Sequence, residues 1–73
     1  MLFSRRNSKF GVRLRMLRLE QGWSQQVLAD KIGRSVASVC GYEQGFHIPE
    51  EEALQKMAEV FGISKEALAK RSA

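Results

Sequence analysis

The cationic side chains of this sequence are concentrated in its first half, where they could bind a polyanion. Residues 1–34 hold eight of the twelve Lys and Arg residues and two of the eight Asp and Glu residues, whereas residues 35–73 carry a net charge of −2. A basic stretch in a small protein of pI about 9.7 favours nucleic acid or another polyanion as its partner. A solvated basic face would give the same composition, so charge alone leaves both alternatives open.

The residues that usually carry catalysis or bind metals are scarce. The sequence has one cysteine, Cys40, and one histidine, His47. A single cysteine forms no internal disulfide, and the pair offers no metal-ligand spacing. The sequence shows no group of residues that could act together as nucleophile, general acid and general base. His47 falls in a predicted loop, where we expect it to be exposed to solvent. We therefore predict no enzymatic activity, no metal site and no cofactor.

The length of 73 residues suits one compact domain. No apolar run approaches the roughly 20 residues that a membrane helix needs, and the first residues lack the apolar core of a signal peptide. We therefore expect a cytoplasmic protein without membrane contact. Arg5 and Arg6 belong to a segment with no clear period, so residues 1–8 are predicted to be a basic arm and residues 9–73 the folded domain.

Apolar periodicity and capping residues predict five helices and no strand. Glycines at 22, 33, 45 and 62 supply helix ends, and Ser8, Ser24, Ser35 and Ser64 supply helix caps. Pro49 and the acids after it suit the first turn of a helix, and Lys70 and Arg71 suit the end of the last one. The predicted helices cover about 9–21, Gln25–Ile32, Val36–Gln44, a fourth from Pro49 to Phe61 and a short fifth after Ser64.

Helix 1 carries two apolar sets on opposite sides. The set with the spacing of a buried face consists of Phe10, Leu14 and Leu17. The opposite set consists of Val12, Met16 and Leu19. A second subunit, a partner protein or Leu2 and Phe3 of the arm could cover the opposite set, although scattered exposed apolar residues are common. We predict association, as a homodimer, through this set or through helix 5.

Several spaced features between Ser24 and Pro49 agree with one known pattern. They are the segment Ser24-Gln25-Gln26-Val27-Leu28-Ala29, then Ile32-Gly33, Ser35, Val39, Tyr42-Glu43-Gln44-Gly45 and Pro49. Over about residues 10–68 the sequence resembles the Cro/repressor-type, Xre-like helix-turn-helix family. The resemblance implies a compact all-α, phage-repressor-like domain of five helices. It also implies a repressor-like transcriptional regulator that binds double-stranded DNA with helix 3 in the major groove.

The resemblance suggests roles for three polar residues. Gln25 opens helix 2, where the family holds a phosphate, although a plain helix-terminal polar residue fits this position equally well. Glu43 lies four residues after Val39 and so starts on the partly buried side of helix 3, where its carboxylate needs a partner. Similar proteins supply an arginine of helix 1 at the position of Arg18, so we predict a structural ion pair between Arg18 and Glu43.

The outward face of helix 3 is unusually poor in long polar side chains. A turn of 100° per residue directs Ala37, Cys40, Gly41 and Gln44 outward, with Val36 on the flank. Related proteins place Gln, Arg, Lys, Asn or Ser at the positions of Val36, Ala37 and Gly41. The candidate DNA-contacting residues are Gln25, Arg34, Ser35, Val36, Ala37, Ser38, Cys40, Gly41 and Gln44, with Arg5 and Arg6 of the arm.

Three interpretations of this face stay open. Val36 and Ala37 could contact thymine methyl groups, while polar neighbours such as Arg34 add hydrogen bonds. Recognition could instead rest on backbone charge and DNA shape, with Arg5 and Arg6 in a minor groove. The third interpretation is a protein-interaction module, adaptor or antitoxin-like, whose helix 3 packs against another protein. A glycine inside a helix, such as Gly41, lowers helix stability by about 1 kcal/mol relative to alanine. Its presence therefore suggests close approach by DNA or by a partner.

Overall fold

The computed structural model describes residues 9–69, which form five helices. They are α1 (Lys9–Glu20), α2 (Gln25–Ile32), α3 (Val36–Gln44), α4 (Glu51–Phe61) and α5 (Lys65–Ala69). The predicted all-α fold of five helices is confirmed, and the bounds of α2 and α3 are those predicted. The predictions for the arm, the Ser8 cap, Lys70 and Arg71 lie outside the described residues. No helix in residues 9–69 is both long enough and apolar enough to cross a membrane.

One apolar core joins all five helices. Its largest fully buried side chains come one from each helix: Leu14, Leu28, Val39, Met57 and Leu68. Phe10 and Leu17 of α1 pack against this cluster, as their spacing predicted. The opposite apolar set of α1 stays at the surface, so burial of one face only fixes the orientation of α1 relative to the core.

A tight turn joins α2 to α3 and sets the corner between them. The Ser24 side chain accepts a hydrogen bond from the Val27 amide at 3.1 Å, and the Ser35 side chain accepts one from the Ser38 amide at 3.1 Å. Between the two helices Gly33 has φ of +69°, a left-handed conformation in which other residues are strained. Ala29, fully buried on α2, allows close packing of the two helices. The corner is therefore defined by caps at each end and by small residues inside.

Helix α1 crosses α3 at Gly11, where the two backbones nearly touch. A Cβ atom built on Gly11 would lie 2.3 Å from the backbone oxygen of Glu43. Only glycine fits at this distance, because real Cβ atoms do not approach a backbone oxygen so closely. The close crossing places the carboxyl end of α3 directly against α1.

Helix α4 begins later than the sequence suggested. Pro49 was expected in its first turn, but the helix begins at Glu51, after Glu50 in an extended conformation with ψ of 173°. Pro49 is instead a buried residue of the preceding loop. At the other end of α4, the Phe61 ring stacks on Trp23 with centroids 5.4 Å apart. Arg13 donates from Nε to the carbonyl oxygen of Ala67 at 3.2 Å, which ties α5 to α1.

Candidate nucleic-acid interface

The predicted ion pair between Arg18 and Glu43 is present and buried. Arg18 Nε lies 2.6 Å from Glu43 Oε2, and Arg18 Nη2 lies 3.0 Å from Glu43 Oε1. A third donor, Arg18 Nη1, bonds the carbonyl oxygen of Trp23 at 2.9 Å. Hydrogen bonding to Glu43 raises the pKa of Arg18 above its ordinary value. The pair therefore fixes α1, the start of α2 and α3 relative to one another.

Gln25 extends this network to the surface. Its Nε2 donates to Glu43 Oε1 at 3.1 Å, so one hydrogen of its amide is already engaged. The side chain borders an open polar cleft of about 460 Å³ whose other lining residues are Arg15, Arg18, Glu43 and Gln44. Since Arg18 and Glu43 neutralise each other, Arg15 supplies the net positive charge of the cleft. An anion such as a phosphate would meet Arg15, the Gln25 amide and the amino end of α2 there.

The outward face of α3 carries most of the residues expected on it. Ala37, Gln44 and Val36 are exposed, Val36 by 40%. Cys40 is partly exposed, and Gln44 Nε2 donates to Cys40 Sγ at 3.0 Å. These residues lie together on one side of the helix, opposite the buried Tyr42. The face they form is small and mostly apolar, as the sequence indicated.

Gly41 is the exception, because the structure buries it. Helical periodicity directs this position outward, yet the imidazole of His47 covers it. A Cβ atom on Gly41 would lie 2.3 Å from His47 Cδ2 and 2.4 Å from His47 Nε2. The expectation that Gly41 itself faces DNA or a partner is therefore wrong, since the group that approaches it closely belongs to the same chain. His47 is exposed, as expected of a loop histidine.

The two serines at the start of α3 already form hydrogen bonds at the helix cap. The Ser35 side chain caps the helix, and its hydroxyl donates to Ser38 Oγ at 3.1 Å. Ser35 is exposed and Ser38 is partly exposed. If these hydroxyls contact DNA, they must do so while they also form the hydrogen bonds of the helix cap.

Arg34 precedes α3 but is held toward α4. Its Nη2 lies 2.6 Å from Glu50 Oε2 in an exposed ion pair. Hydrogen bonding to Tyr42, and next to Glu50, raises the pKa of Arg34. The pKa of Glu50 is lowered, first by a hydrogen bond with its own backbone and then by Arg34. The cation expected near DNA therefore has an acidic partner within the domain.

The charge of the described domain differs from that of the whole chain. Residues 9–69 contain eight Lys and Arg residues and eight Asp and Glu residues, so their formal charges cancel. The net charge of +4 comes entirely from residues beyond the described range, namely Arg5, Arg6, Lys70 and Arg71. The predicted contacts of Arg5 and Arg6 lie outside the described residues. Within the domain, attraction for a polyanion depends on where the charges lie and not on their sum.

The second apolar set of α1 is at the surface, as predicted. Val12, Met16 and Leu19 are exposed by 47%, 56% and 54%. They lie on the side of α1 that faces away from the core. Their exposure is what an association face requires.

Two residues near the candidate interface were not identified from the sequence. Arg15 lies three residues before Arg18, so helical spacing could have placed it at the same edge of α1. His47 gave no signal, because its position depends on the fold of the loop after α3. Both add polar groups to a surface on which α3 itself offers few.

A capped two-helix corner with an exposed second helix and a polar cleft beside it defines a helix-turn-helix domain. The sequence profile of a family described as "Helix-turn-helix domain" matches residues 9–71. The chain belongs to this family, and the resemblance to Xre-like helix-turn-helix proteins is confirmed. The fold and the matched family together place the chain in the class of helix-turn-helix domain proteins.

Two curated relatives come from Bacillus subtilis strain 168. The HTH-type transcriptional regulator AnsR is 38% identical over 56 residues, which cover 77% of this chain and 48% of AnsR. The SPbeta prophage-derived uncharacterized HTH-type transcriptional regulator YonR is 36% identical over 61 residues, which cover 84% of this chain and 56% of YonR. The chain thus spans about half the length of the curated relatives it matches.

Two solved structures share the fold. The restriction-modification controller protein C.AhdI from Aeromonas hydrophila superposes with a TM-score of 0.78 at 37% identity, covering 82% of this chain and 91% of C.AhdI. ComR from Streptococcus suis superposes with a TM-score of 0.79 at 24% identity, covering 92% of this chain and 22% of ComR. The match to C.AhdI extends over nearly all of that protein, whereas the match to ComR concerns the fold of one part.

Proposed function

We propose that this chain is a repressor-like transcriptional regulator that binds double-stranded DNA by placing α3 in the major groove. The observation that carries the proposal is the exposed face of α3 on a corner that is fixed by caps and by the buried Arg18–Glu43 pair. A rigid corner lets the second helix enter the groove while the first spans the backbone. The proposed role is binding in the cytoplasm, without catalysis.

Phosphate contacts would hold the domain on the duplex. Arg15 and Gln25 border the polar cleft at the amino end of α2, and both can donate hydrogen bonds to a phosphate oxygen. Glu43 orients Gln25 through its hydrogen bond, so the amide is prepared before DNA binds. Arg5 and Arg6 would add charge from the arm. Such contacts fix the register of α3 without selecting a sequence.

Sequence preference would come from a small set of contacts. Val36 and Ala37 suit thymine methyl groups, and Gln44 suits adenine, which accepts and donates at one edge. Ser35, Ser38 and Cys40 lie close enough on α3 to contribute at the border of the groove. The preference we expect is modest, because the long polar side chains that distinguish bases are few.

A homodimer is the form in which we expect the protein to bind DNA. The exposed set of Val12, Met16 and Leu19 would be the subunit contact. Two α3 helices would then address half-sites about 34 Å apart, one turn of the duplex. Sedimentation equilibrium tests this contact: Met16→Asp should shift the protein to monomer, whereas Gln55→Asp on the exposed surface of α4 should not. A wild-type protein that stays monomeric at high concentration would contradict the dimer.

A second function is favoured by the apolar character of Val36 and Ala37. The same fold could serve as an adaptor or antitoxin-like module that binds a protein through α3. Small residues on a helix surface let another helix pack closely, and this surface is small and mostly apolar. On this alternative, DNA binding would be weak and would show no sequence preference.

A DNA titration at several salt concentrations tests the proposal. The wild-type protein is titrated with duplexes selected from a random-sequence library, and the logarithm of its affinity should fall linearly with that of salt. Ala37→Glu adds a negative charge to the exposed face and should abolish binding, whereas Gln55→Glu on α4 should leave it unchanged. Failure of the wild type to enrich any duplex, or unchanged binding by Ala37→Glu, would overturn the assignment of α3 to the groove.

A further inference from the structure

The imidazole of His47 occupies the place on α3 where a side chain of residue 41 would stand. Its Cδ2 and Nε2 atoms approach the Gly41 position so closely that no Cβ atom fits between them. The helix turns this position away from the core, yet Gly41 is buried with the His47 ring against it. The loop histidine thus fills a gap on the outer surface of the helix.

Three contacts hold His47 in this place. The amides of Phe46 and His47 both donate to the carbonyl oxygen of Gly41, at 2.9 Å and 3.4 Å. Gly45, with φ of +84°, turns the backbone so that the loop folds back along the helix. The Tyr42 ring lies edge-on to the imidazole, with centroids 6.1 Å apart. The position of the ring is therefore set by the end of α3.

The ring lies on the surface that we assign to the groove. Successive turns of the helix place Ala37 four residues before Gly41 and Gln44 three residues after it, so all three share one side of α3. Both neighbours are exposed, and His47 is exposed with them. A duplex that contacts Ala37 and Gln44 would also meet the imidazole.

The chemistry of imidazole suits the edge of a base pair. The Cδ2 and Nε2 atoms of His47 lie against Gly41, so Nδ1 is the ring nitrogen farther from the helix. A protonated Nδ1 can donate to guanine N7 or O6, and an unprotonated Nδ1 can accept from the amino group of adenine or cytosine. The side chains of Val36, Ala37 and Cys40 on α3 offer no strong donor. The His47 ring therefore supplies hydrogen-bonding capacity where the helix has little.

We propose that His47, seated on Gly41, is a specificity-determining residue that hydrogen-bonds base edges in the major groove. It takes the place of the long polar side chain that α3 lacks at residue 41. This inference rests on the proposed function, because it requires α3 to lie in the groove. Gly41 contributes by leaving room for the ring.

Two variants test the proposal by different routes. His47→Ala removes the imidazole, and Gly41→Ala keeps it but fills its seat. Affinity is measured for a duplex selected by the wild type from a random-sequence library and for a shuffled duplex of equal length. Both variants should lose about tenfold in affinity for the selected duplex, the scale of one specific base contact, and little for the shuffled one. Gln55→Ala, on the exposed surface of α4, serves as the control because it changes no charge, and it should match the wild type on both duplexes.

Thermal melting of each variant distinguishes a loss of DNA recognition from a loss of folding. We expect the loss of affinity in variants whose melting temperature equals or exceeds that of the wild type. Wild-type affinity of His47→Ala for the selected duplex would overturn the inference. An equal loss on both duplexes would overturn it as well, because it indicates a phosphate contact. If the wild type selects no duplex at all, the proposed function fails first, and this result differs from either of the others.

Discussion

Arg18 and Glu43 form a two-point ion pair beneath the carboxyl half of α3, with Nε 2.6 Å from Oε2 and Nη2 3.0 Å from Oε1. The two side chains are 9% and 4% exposed, so water screens them little. Gln25 bonds the same carboxylate and reaches the candidate phosphate cleft. A single buried carboxylate thus links α3, which we propose to enter the major groove, with the residue that we expect to bind the DNA backbone.

Loss of the arginine should cost more than loss of both partners. Arg18→Met leaves the Glu43 carboxylate buried without its partner, and we expect a loss of about 3–5 kcal/mol in the free energy of unfolding. The double variant Arg18→Met with Glu43→Leu removes both charges and should recover most of that loss. Urea unfolding measures the difference. An Arg18→Met variant within about 1 kcal/mol of the wild type would indicate a solvated pair.

Two glycines of helix interiors should respond to alanine in opposite ways. At Gly11 the new Cβ would meet the backbone of Glu43, which has no rotamer to change, so Gly11→Ala should destabilise by about 1–3 kcal/mol. At Gly41 the neighbour is the flexible side chain of His47, so Gly41→Ala should leave stability unchanged or raise it by up to about 1 kcal/mol. Thermal unfolding of both variants is the measurement. Equal changes in stability would show that the backbone contact at Gly11 and the side-chain contact at Gly41 do not differ in how readily they yield.

Removing the charge of Glu50 should strengthen DNA binding. Hydrogen bonding to its own backbone and then to Arg34 lowers the pKa of Glu50 below its ordinary value, so the carboxylate is ionised at neutral pH and pairs with Arg34. Glu50→Gln would release Arg34 toward phosphate and remove a negative charge near the start of α3. We expect tighter binding, with a salt slope steeper by about 0.9 for one added phosphate contact. Glu66→Gln, at an exposed acid of α5, is the charge-matched control. Equal effects of the two variants would exclude a particular role for Arg34.

The arm should carry a measurable share of the salt dependence. Because the charges of residues 9–69 cancel, Arg5 and Arg6 account for half of the net +4. Replacing both with alanine should reduce the slope of log affinity against log salt by up to about 1.8 if each contacts one phosphate. Replacing Lys70 and Arg71 instead provides a charge-matched control. Equal reductions by both pairs would mean that the arm acts through net charge and not through contact.

Local signals in the sequence were sufficient for the helices of the corner and for its buried pair. Serine caps and glycine ends gave the bounds of α2 and α3, because capping depends on residues within one turn. Glu43 could be placed on the inner side of α3 by spacing, and the family resemblance supplied Arg18. The predicted start of α4 at Pro49 was wrong, because Glu50 adopts an extended conformation and Pro49 is buried in the loop.

Contacts between segments that are distant along the chain could not be predicted from the sequence. The sequence around Gly11 gave no sign that α1 crosses α3 so closely. The contact is made by the backbone oxygen of Glu43, and every residue type has such an oxygen. Gly41 did indicate a close approach, but the sequence could not show that His47 is the approaching group. The pairing of Arg34 with Glu50 depends on where the turn before α3 lies relative to the start of α4, which periodicity within each helix does not determine.

Cys40 offers the most direct test of the claim that α3 enters the groove. It is the only cysteine of the chain and lies partly exposed on α3, so its alkylation rate reports access to this face without any substitution. The rate is measured with and without a saturating duplex that the protein itself selected. A cysteine introduced on α4 by Gln55→Cys in a Cys40→Ser background serves as control. If α3 enters the groove, the bound duplex should slow alkylation of Cys40 and not of the control cysteine. An unchanged alkylation rate of Cys40 with the duplex bound would contradict this placement of α3.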